Sequence, residues 1–211
     1  MNTAALSDFG FYSVLTDPVK GYEYMTELLV DFQIPFVQLR AKGAPEDFIR
    51  KTALNMRRIT EGSKTKLIIN DDPHIAAEVG ADGVHVGQND MPYEQVRKIV
   101  GNEKIIGIST HSLQQTKDAC KNKPDYIGIG PVFPTPTKKI PDAVIGLDGM
   151  KEMLSAATVP GVCIGGINLE NLPSVLKAGA VNFCMVRQFT KCDNPQKVLQ
   201  EILRIHQELF A

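Results

Sequence analysis

The sequence has little that would direct it to nucleic acid or to a membrane. Its 211 residues carry a formal net charge of -1 and no long run of Lys and Arg, which excludes nucleic acid as an electrostatically recruited partner. Residues 1–16 have neither the basic start nor the continuous apolar stretch of a signal peptide. No later stretch approaches the apolar length of a membrane span. We therefore expect a soluble, untargeted protein.

Cysteine is also scarce. The four cysteines form no CxxC pair, and two of them, Cys163 and Cys184, lie inside apolar runs where a thiol behaves as a small hydrophobic group. Such usage is typical of a reducing compartment, so the cytoplasm is the expected location.

Short apolar runs, by contrast, recur from end to end of the chain, and eight of them have the length of β-strands. They are FYSVL from Phe11, PFVQL from Pro35, KLIIN from Lys66, DGVHV from Asp82, KIIGIS from Lys104, DYIGIG from Asp125, GVCIG from Gly161 and VNFCMV from Val181. Helical spacing marks residues 22–32, 48–59, 93–100 and 195–209.

This alternation of strands and helices predicts parallel strands joined by crossover helices. Two segments, HIAAEVGADGVHV and SVLKAGAVNFCMV, repeat one pattern of helix, Gly-Ala stop and strand. Eight units in this length favour an α/β fold, a single-domain (β/α)8 TIM barrel over residues 1–211, with its active site at the C-terminal ends of the strands. A doubly wound open sheet is the alternative.

Polar side chains gather where the predicted strands end. Alternation in PFVQLRAK puts Val37 and Leu39 on one face and Gln38, Arg40 and Lys42 on the other. Later strand ends supply Asn70, Asp71 and Asp72, then Asp90, then Ser109 and His111, then Thr135, Thr137 and Lys138. Because the strands of a barrel share one C-terminal face, we expect these groups to meet there.

Charge suggests what would bind at that face. Asp71 and Asp90 would repel each other if they came close, and Mg²⁺ relieves such repulsion because it takes one or two carboxylates together with water and phosphate oxygens. Arg40, Lys42 and Lys138 indicate a multiply charged anion, which we interpret as a diphosphate; a surface salt-bridge network is the alternative. Asp72 is expected to cap the helix that follows it.

A second anion site is predicted at IGGIN. Gly165 and Gly166 let the backbone approach a ligand, and the following helix would present free N–H groups and its positive dipole end. Phosphates in barrels often bind after strands seven and eight. His85 alternates with Val84 and Val86, which favours a hydrogen-bonded structural histidine in the barrel interior.

These motifs resemble those of the thiamine phosphate synthase (thiamine-phosphate pyrophosphorylase) family. The similar stretches are QLRAK, where the family has QLREK, then IINDD, GADGVHVGQNDMP, IIGISTHS, YIGIGPVFPTPTKK, the pair Gly146-Leu147 and IGGI, in the family's order. The resemblance implies a (β/α)8 barrel transferase. It would join 4-amino-5-hydroxymethyl-2-methylpyrimidine diphosphate to 4-methyl-5-(2-phosphoethyl)thiazole and release pyrophosphate by a Mg²⁺-assisted dissociative substitution.

The resemblance also implies the site residues. The pyrimidine diphosphate would be bound by Gln38, Arg40, Lys42, Asn70, Ser109 and Lys138, of which Arg40, Lys42, Ser109 and Lys138 would be catalytic. Mg²⁺ would be held by Asp71 and Asp90, and the thiazole phosphate by Thr135, Thr137, Gly166, Val186 and Arg187. The expected partners are phosphorylated small molecules and, as an assembly, a homodimer, without nucleic acid or membrane.

Two stretches depart from the family pattern. Ala41 replaces a Glu but should face away from the ligand, whereas MVRQF follows the last strand where the family has a small, serine-containing stretch. Arg187 there either donates to a phosphate in bidentate fashion or crowds the site. Two alternative functions stay open: a thiazole tautomerase of the same barrel family, with a histidine near His111 and no diphosphate, and a non-catalytic thiamine-precursor binding protein.

Overall fold

The chain folds into a barrel of parallel strands surrounded by helices. The structure is a computed structural model that describes residues 8–135 and 142–210. The strands are β1 (Phe11–Leu15), β2 (Phe36–Leu39), β3 (Lys66–Asn70), β4 (Gly83–Val86), β5 (Ile105–Thr110), β6 (Tyr126–Ile129), β7 (Gly161–Cys163) and β8 (Asn182–Cys184). The helices are α1 (Tyr22–Asp31), α2 (Glu46–Thr60), α3 (Pro73–Glu78), α4 (Tyr93–Val100), α5 (Leu113–Lys121), α6 (Gly146–Ala156), α7 (Leu172–Lys177), α8 (Arg187–Thr190) and α9 (Pro195–Phe210).

The strands follow one another around the barrel in chain order, and β8 pairs with β1 to close it. The predicted (β/α)8 barrel is thus confirmed, and the doubly wound open sheet is wrong. Each predicted apolar run coincides with an observed strand to within a residue or two at either end. The ends differ because apolar character does not stop where the hydrogen-bond ladder stops.

Alternation along the strands divides the core into two layers. Val37 and Leu39 face outward and pack in the large cluster between strands and helices, where Ala41 is also buried, as expected. Phe36 faces the barrel interior. The interior layer also contains Tyr12, Val14, Ile68, Tyr126, Val162 and Cys184. The residues of this interior cluster are therefore apolar, apart from two phenol hydroxyls.

The repeated pattern of helix, glycine and strand is present in the structure. Gly80 after α3 and Gly179 after α7 have φ of 68° and 100°, a region that favours glycine. The residue after each glycine donates its N–H back into the helix, to Ala76 O and Val175 O respectively. Both helices therefore end in the same way, and each ending turns the chain into the next strand.

Strand β8 is the short closing piece of the barrel. Two register pairs hold it to β1 and two hold it to β7. Buried Asn182 adds bonds from its side chain, since its Oδ1 accepts from Phe9 N at 2.7 Å and from Gly10 N at 3.1 Å. A side-chain amide thus extends the backbone pairing where the barrel closes.

Across residues 8–135 and 142–210, no helix combines the length and the apolar character needed to cross a bilayer. All four cysteines fall within these ranges and are free thiols. Burial raises the pKa of Cys163 and of Cys184 to about 12, in keeping with a packing role.

Candidate active site

A cavity of about 330 Å³ lies at the C-terminal ends of the strands. Eight residues predicted for the site line it, namely Gln38, Arg40, Asn70, Ser109, Thr135, Gly166, Val186 and Arg187. They come from the ends of different strands, as expected for the C-terminal face of a barrel. Two further predicted residues, Thr137 and Lys138, lie outside the described residues.

Arg40 brings a positive charge to this cavity. It directly follows β2, and its backbone N–H donates to Leu15 O at 3.0 Å, which continues the pairing of β2 with β1. In the described part of the chain its half-buried guanidinium makes no hydrogen bond or ion pair. A cation held in this way, without a protein partner, attracts an anionic ligand.

Lys42, Asp71 and Asp90 form a charged cluster near the end of β3. Lys42 Nζ lies 3.0 Å from Asp71 Oδ2. Asp71 has a φ of 65°, and its N–H donates to His85 O at 2.8 Å. Asp90 Oδ2 accepts from Gly87 N at 2.7 Å. These three residues are not among those that line the cavity, so the cluster sits beside it, next to Asn70 in the chain.

The two carboxylates of this cluster interact. The pKa of Asp71 is raised, first by burial and then by its contact with Asp90, while Lys42 acts in the opposite direction. The structure thus brings Asp71 and Asp90 together as the sequence predicted. Within the described residues no group of three or more His, Cys, Asp or Glu side chains is arranged to hold a metal, so this pair is a two-carboxylate donor set.

Asp72 has a different function from its neighbour. Its Oδ1 accepts from Ile75 N at 2.9 Å at the start of α3, so the predicted helix cap is confirmed.

A chain of hydrogen bonds crosses the barrel interior, and its five members line the cavity. Gln38 Nε2 donates to Tyr12 Oη at 2.8 Å, and Tyr12 Oη lies 2.8 Å from Tyr126 Oη. Tyr126 Oη lies 2.9 Å from His85 Nδ1, and His85 Nε2 lies 2.8 Å from Ser109 Oγ. The chain joins two residues predicted to bind the pyrimidine diphosphate, Gln38 and Ser109.

Two members of this chain were missed by the sequence reasoning. His85 was correctly placed in the interior as a hydrogen-bonded residue, but Tyr12 and Tyr126 were counted only as apolar positions of their strands. Alternation with buried neighbours does place both phenols inside the barrel. Buried phenol hydroxyls need partners, so that alternation was the available signal.

His111 lies at the cavity wall. Its Nδ1–H donates to Gly130 O at 2.6 Å, and its Nε2 lies 3.6 Å from Asp142 Oδ2. The backbone N–H of His111 donates to Gln115 Oε1 at 2.7 Å. Its ring therefore ties the end of β5 to the loop that follows β6.

Gly165 and Gly166 follow β7 and have φ of 104° and 65°. A Cβ on Gly166 would lie 2.6 Å from Phe133 Cβ and 2.7 Å from Pro134 O, so only glycine fits this close approach at the cavity. The predicted helix dipole at this point is wrong, because α7 begins only at Leu172.

An asparagine turn separates these glycines from α7. Asn168 N donates to Asn171 Oδ1 at 2.8 Å and Asn171 N donates to Asn168 Oδ1 at 3.0 Å, so side chains already use these N–H groups. The exposed Arg187 begins α8 directly after Val186. Arg187 and Gly166 line the same cavity, so the guanidinium is available to a ligand that the Gly166 backbone approaches.

Comparison with known proteins places this geometry in a family. The model of a family described as thiamine monophosphate synthase matches residues 16–189. A thiamine-phosphate synthase of Caldicellulosiruptor bescii is 37% identical over 181 residues, 86% of this chain and 83% of the relative. One of Clostridium novyi is 41% identical over 169 residues, 80% of this chain and 83% of the relative.

A solved structure agrees with these relatives. Thiamine phosphate pyrophosphorylase from Pyrococcus furiosus has a TM-score of 0.87 and 30% identity to this chain, and the match covers 97% of this chain and 98% of that one. On the family model, the two relatives and this structure together, the chain belongs to the thiamine monophosphate synthase family.

Proposed function

We infer that this chain is a thiamine phosphate synthase. It joins 4-amino-5-hydroxymethyl-2-methylpyrimidine diphosphate to 4-methyl-5-(2-phosphoethyl)thiazole, giving thiamine phosphate and pyrophosphate. The observation that carries this proposal is Arg40, whose guanidinium faces the cavity without a hydrogen-bond or ion-pair partner in residues 8–135 and 142–210. A guanidinium in this position is suited to bind an anionic ligand, and the diphosphate of the first substrate is such a ligand.

The diphosphate end of the substrate would lie over β2, β3 and β5. Arg40, Lys42, Ser109 and Lys138 are proposed to bind its oxygens, and Gln38 to orient the pyrimidine. Asn70 also lines the cavity and would add an amide contact. The thiazole phosphate would bind to Thr135, Thr137, Gly166, Val186 and Arg187.

The residues present fit Mg²⁺. Asp71 and Asp90 supply hard oxygen donors. The pKa of Asp71 is raised by burial and by Asp90 although Lys42 lies beside it, so Lys42 alone does not neutralise the two carboxylates. Mg²⁺ typically takes one or two carboxylates and completes its coordination with water and phosphate oxygens. When bound, the ion would supply positive charge to the leaving diphosphate.

The proposed reaction is dissociative. The bond between the pyrimidine methylene carbon and the diphosphate oxygen breaks, and both electrons leave on the diphosphate. The thiazole nitrogen then forms the new carbon–nitrogen bond. No side-chain nucleophile is needed, so the protein acts by positioning and by charge stabilisation: Arg40, Lys42 and Lys138 stabilise the leaving oxygens, and Ser109 donates to them.

The two alternatives make different demands on these residues. A thiazole tautomerase binds no diphosphate and has no use for Arg40 together with the Lys42–Asp71–Asp90 cluster. A binding protein would keep both phosphate sites without turnover. Arg187 would be the cause of such a loss, because the family usually has a small residue at this position.

Pyrophosphate release tests the proposal. The purified full-length protein is supplied with Mg²⁺, the pyrimidine diphosphate and the thiazole phosphate, and each component is left out in turn. Release that requires all three, with thiamine phosphate formed in equal amount, is the expected result. Binding of both ligands without release would instead identify a binding protein. The homodimer and the cytoplasmic location stay predictions, and light scattering after size-exclusion chromatography checks the first.

A further inference from the structure

The hydrogen-bond chain between Gln38 and Ser109 has a direction. Burial raises the pKa of Tyr12 and of Tyr126 well above the ordinary phenol value, so each of these hydroxyls keeps its single hydrogen. A hydroxyl with one hydrogen donates one bond, and each of these phenols lies between two partners. The hydrogens in the chain therefore all point the same way.

The direction follows from the amide of Gln38. Gln38 Nε2 donates to Tyr12, so Tyr12 uses its own hydrogen for its other partner in the described structure, Tyr126. Tyr126 then donates to His85 Nδ1, which places the imidazole proton on Nε2. His85 Nε2–H donates to Ser109 Oγ, which leaves the Ser109 hydrogen directed to the cavity.

We propose that Tyr126 is a positioning residue for the transfer reaction, which holds His85 as the Nε2–H tautomer so that Ser109 presents its hydroxyl hydrogen to an oxygen of the diphosphate. This inference rests on the proposed function, because the diphosphate is the acceptor that the Ser109 hydrogen meets. Tyr126 acts through His85, because one ring nitrogen of His85 contacts Tyr126 and the other contacts Ser109.

The sequence makes room for this contact at Gly107. Gly107 of β5 pairs in register with His85 on one side and Tyr126 on the other. A Cβ at Gly107 would overlap the Tyr126 ring and hydroxyl and would lie 2.6 Å from His85 Nδ1. Glycine at position 107 therefore leaves the space in which the hydrogen bond between Tyr126 and His85 forms.

Packing fixes the geometry of the bond as well. The His85 and Tyr126 rings are stacked with centroids 5.5 Å apart, and the Tyr12 and Tyr126 rings meet edge to face at 5.6 Å. Tyr12 and Tyr126 are buried in the interior layer. Rings held on both sides in this way keep their hydroxyls in line with their partners.

A substitution at Gln38 should reverse the direction of the hydrogen-bond chain. In Gln38→Glu, the carboxylate accepts from Tyr12, so Tyr12 accepts from Tyr126 and Tyr126 accepts from His85 Nδ1–H. His85 Nε2 then accepts the Ser109 hydrogen. Ser109 would face the cavity with lone pairs only, although its position would not have changed.

The tautomer of His85 tests this direction without any substrate. Long-range nitrogen–proton NMR spectra of the ligand-free, full-length protein with 15N-labelled histidine separate the two tautomers, and His85→Gln assigns the signals among the four histidines. The expected result is Nε2–H in the wild type, Nδ1–H in Gln38→Glu and no fixed tautomer in Tyr126→Phe. Nδ1–H or a doubly protonated ring in the wild type would overturn the proposal, as would variants that leave His85 unchanged.

Kinetics test the consequence for the reaction. Tyr126→Phe keeps the ring and is expected to lower kcat about tenfold, less than the loss of a directly contacting donor, with little change in KM for the thiazole phosphate. In a Ser109→Ala background the same change should cost almost nothing, because the effect passes through Ser109. Tyr93→Phe, which removes a phenol hydroxyl on the outer helix α4, is the matched control and should keep wild-type kcat.

The two experiments fail in different ways. A full tenfold loss from Tyr126→Phe in the Ser109→Ala background would overturn the positioning role while the synthase assignment stands. A wild-type protein that releases no pyrophosphate would overturn the proposed function, and the NMR spectra would still decide the direction of the chain.

Discussion

Lys42 and Asp71 form an ion pair of 3.0 Å that balances only part of the charge around Asp71. Burial and Asp90 together outweigh Lys42, so the pKa of Asp71 is raised. The folded protein therefore binds this proton more tightly than the unfolded chain does. It follows that the stability contributed by this group increases as the pH falls and decreases as Asp71 ionises.

Asp71→Asn should therefore stabilise the metal-free protein and weaken the enzyme. At pH 7 with a chelator we expect Tm to rise by a few degrees, because the substitution removes an ionised carboxylate that burial and Asp90 disfavour, and Asn tolerates the positive φ. The difference in Tm should shrink as the pH is lowered, and kcat with Mg²⁺ should fall about 100-fold. Asp72→Asn, which keeps a helix cap, is the control. A lower Tm in Asp71→Asn would mean that the attraction of Lys42 for the Asp71 carboxylate outweighs the effects of burial and of Asp90.

Arg40→Gln should raise KM for the pyrimidine diphosphate and lower kcat. The guanidinium is proposed to bind the diphosphate in both the ground state and the transition state, so kcat/KM should fall roughly 100-fold or more. Steady-state pyrophosphate release at varied pyrimidine diphosphate measures both constants. Arg58→Gln, an exposed position on α2, is the matched loss of charge and should behave as wild type. Equal effects of the two variants would argue for a general effect of net charge.

Gly166→Ala should impair binding of the thiazole phosphate. Gly62→Ala is the matched control, since Gly62 also has a positive φ, of 73°, but has open space around its Cβ position. Gly62→Ala should lose about 1 kcal/mol of stability from backbone strain, and Gly166→Ala should lose more, because its Cβ also overlaps neighbouring atoms. Only Gly166→Ala should also raise KM for the thiazole phosphate, because its Cβ must displace Phe133 or Pro134 at the cavity wall. Thermal melts and KM values for both substrates separate the two effects.

Arg187→Ser should raise KM for the thiazole phosphate about tenfold or more while leaving KM for the pyrimidine diphosphate near its wild-type value. A guanidinium contact to phosphate is a strong charge-assisted hydrogen bond, so its loss is specific to that substrate. The two KM values serve as controls for each other. Tighter thiazole phosphate binding together with faster turnover in Arg187→Ser would show that Arg187 crowds the site.

Periodicity made the barrel and its polar face predictable. Alternation at Gln38 and Arg40 needs no tertiary information, since side chains on one strand face always point the same way. The sharing of a C-terminal face then brings Asn70 and Ser109 to the same cavity. These parts of the site depend on local pattern and on topology, both of which the sequence contains.

The parts that were missed depend on contacts between distant residues. Tyr12 and Tyr126 are 114 positions apart, and an aromatic residue in an apolar run gives no sign that its hydroxyl has a partner. The start of α7 was misplaced for a more local reason. Asn168 and Asn171 satisfy each other's N–H groups in a turn, and such side-chain bonds compete with helix formation.

The closing of the barrel at β8 also bears on aggregation. A closed sheet has no free edge, and free edges are where strands of separate molecules pair with one another. Since β8 has only two register pairs on each side, the side chain of Asn182 helps to keep the edge of β1 covered. Loss of that amide would leave two register pairs to hold β1 to β8, and local opening of this seam would expose two strand edges at which copies could associate before the chain unfolds.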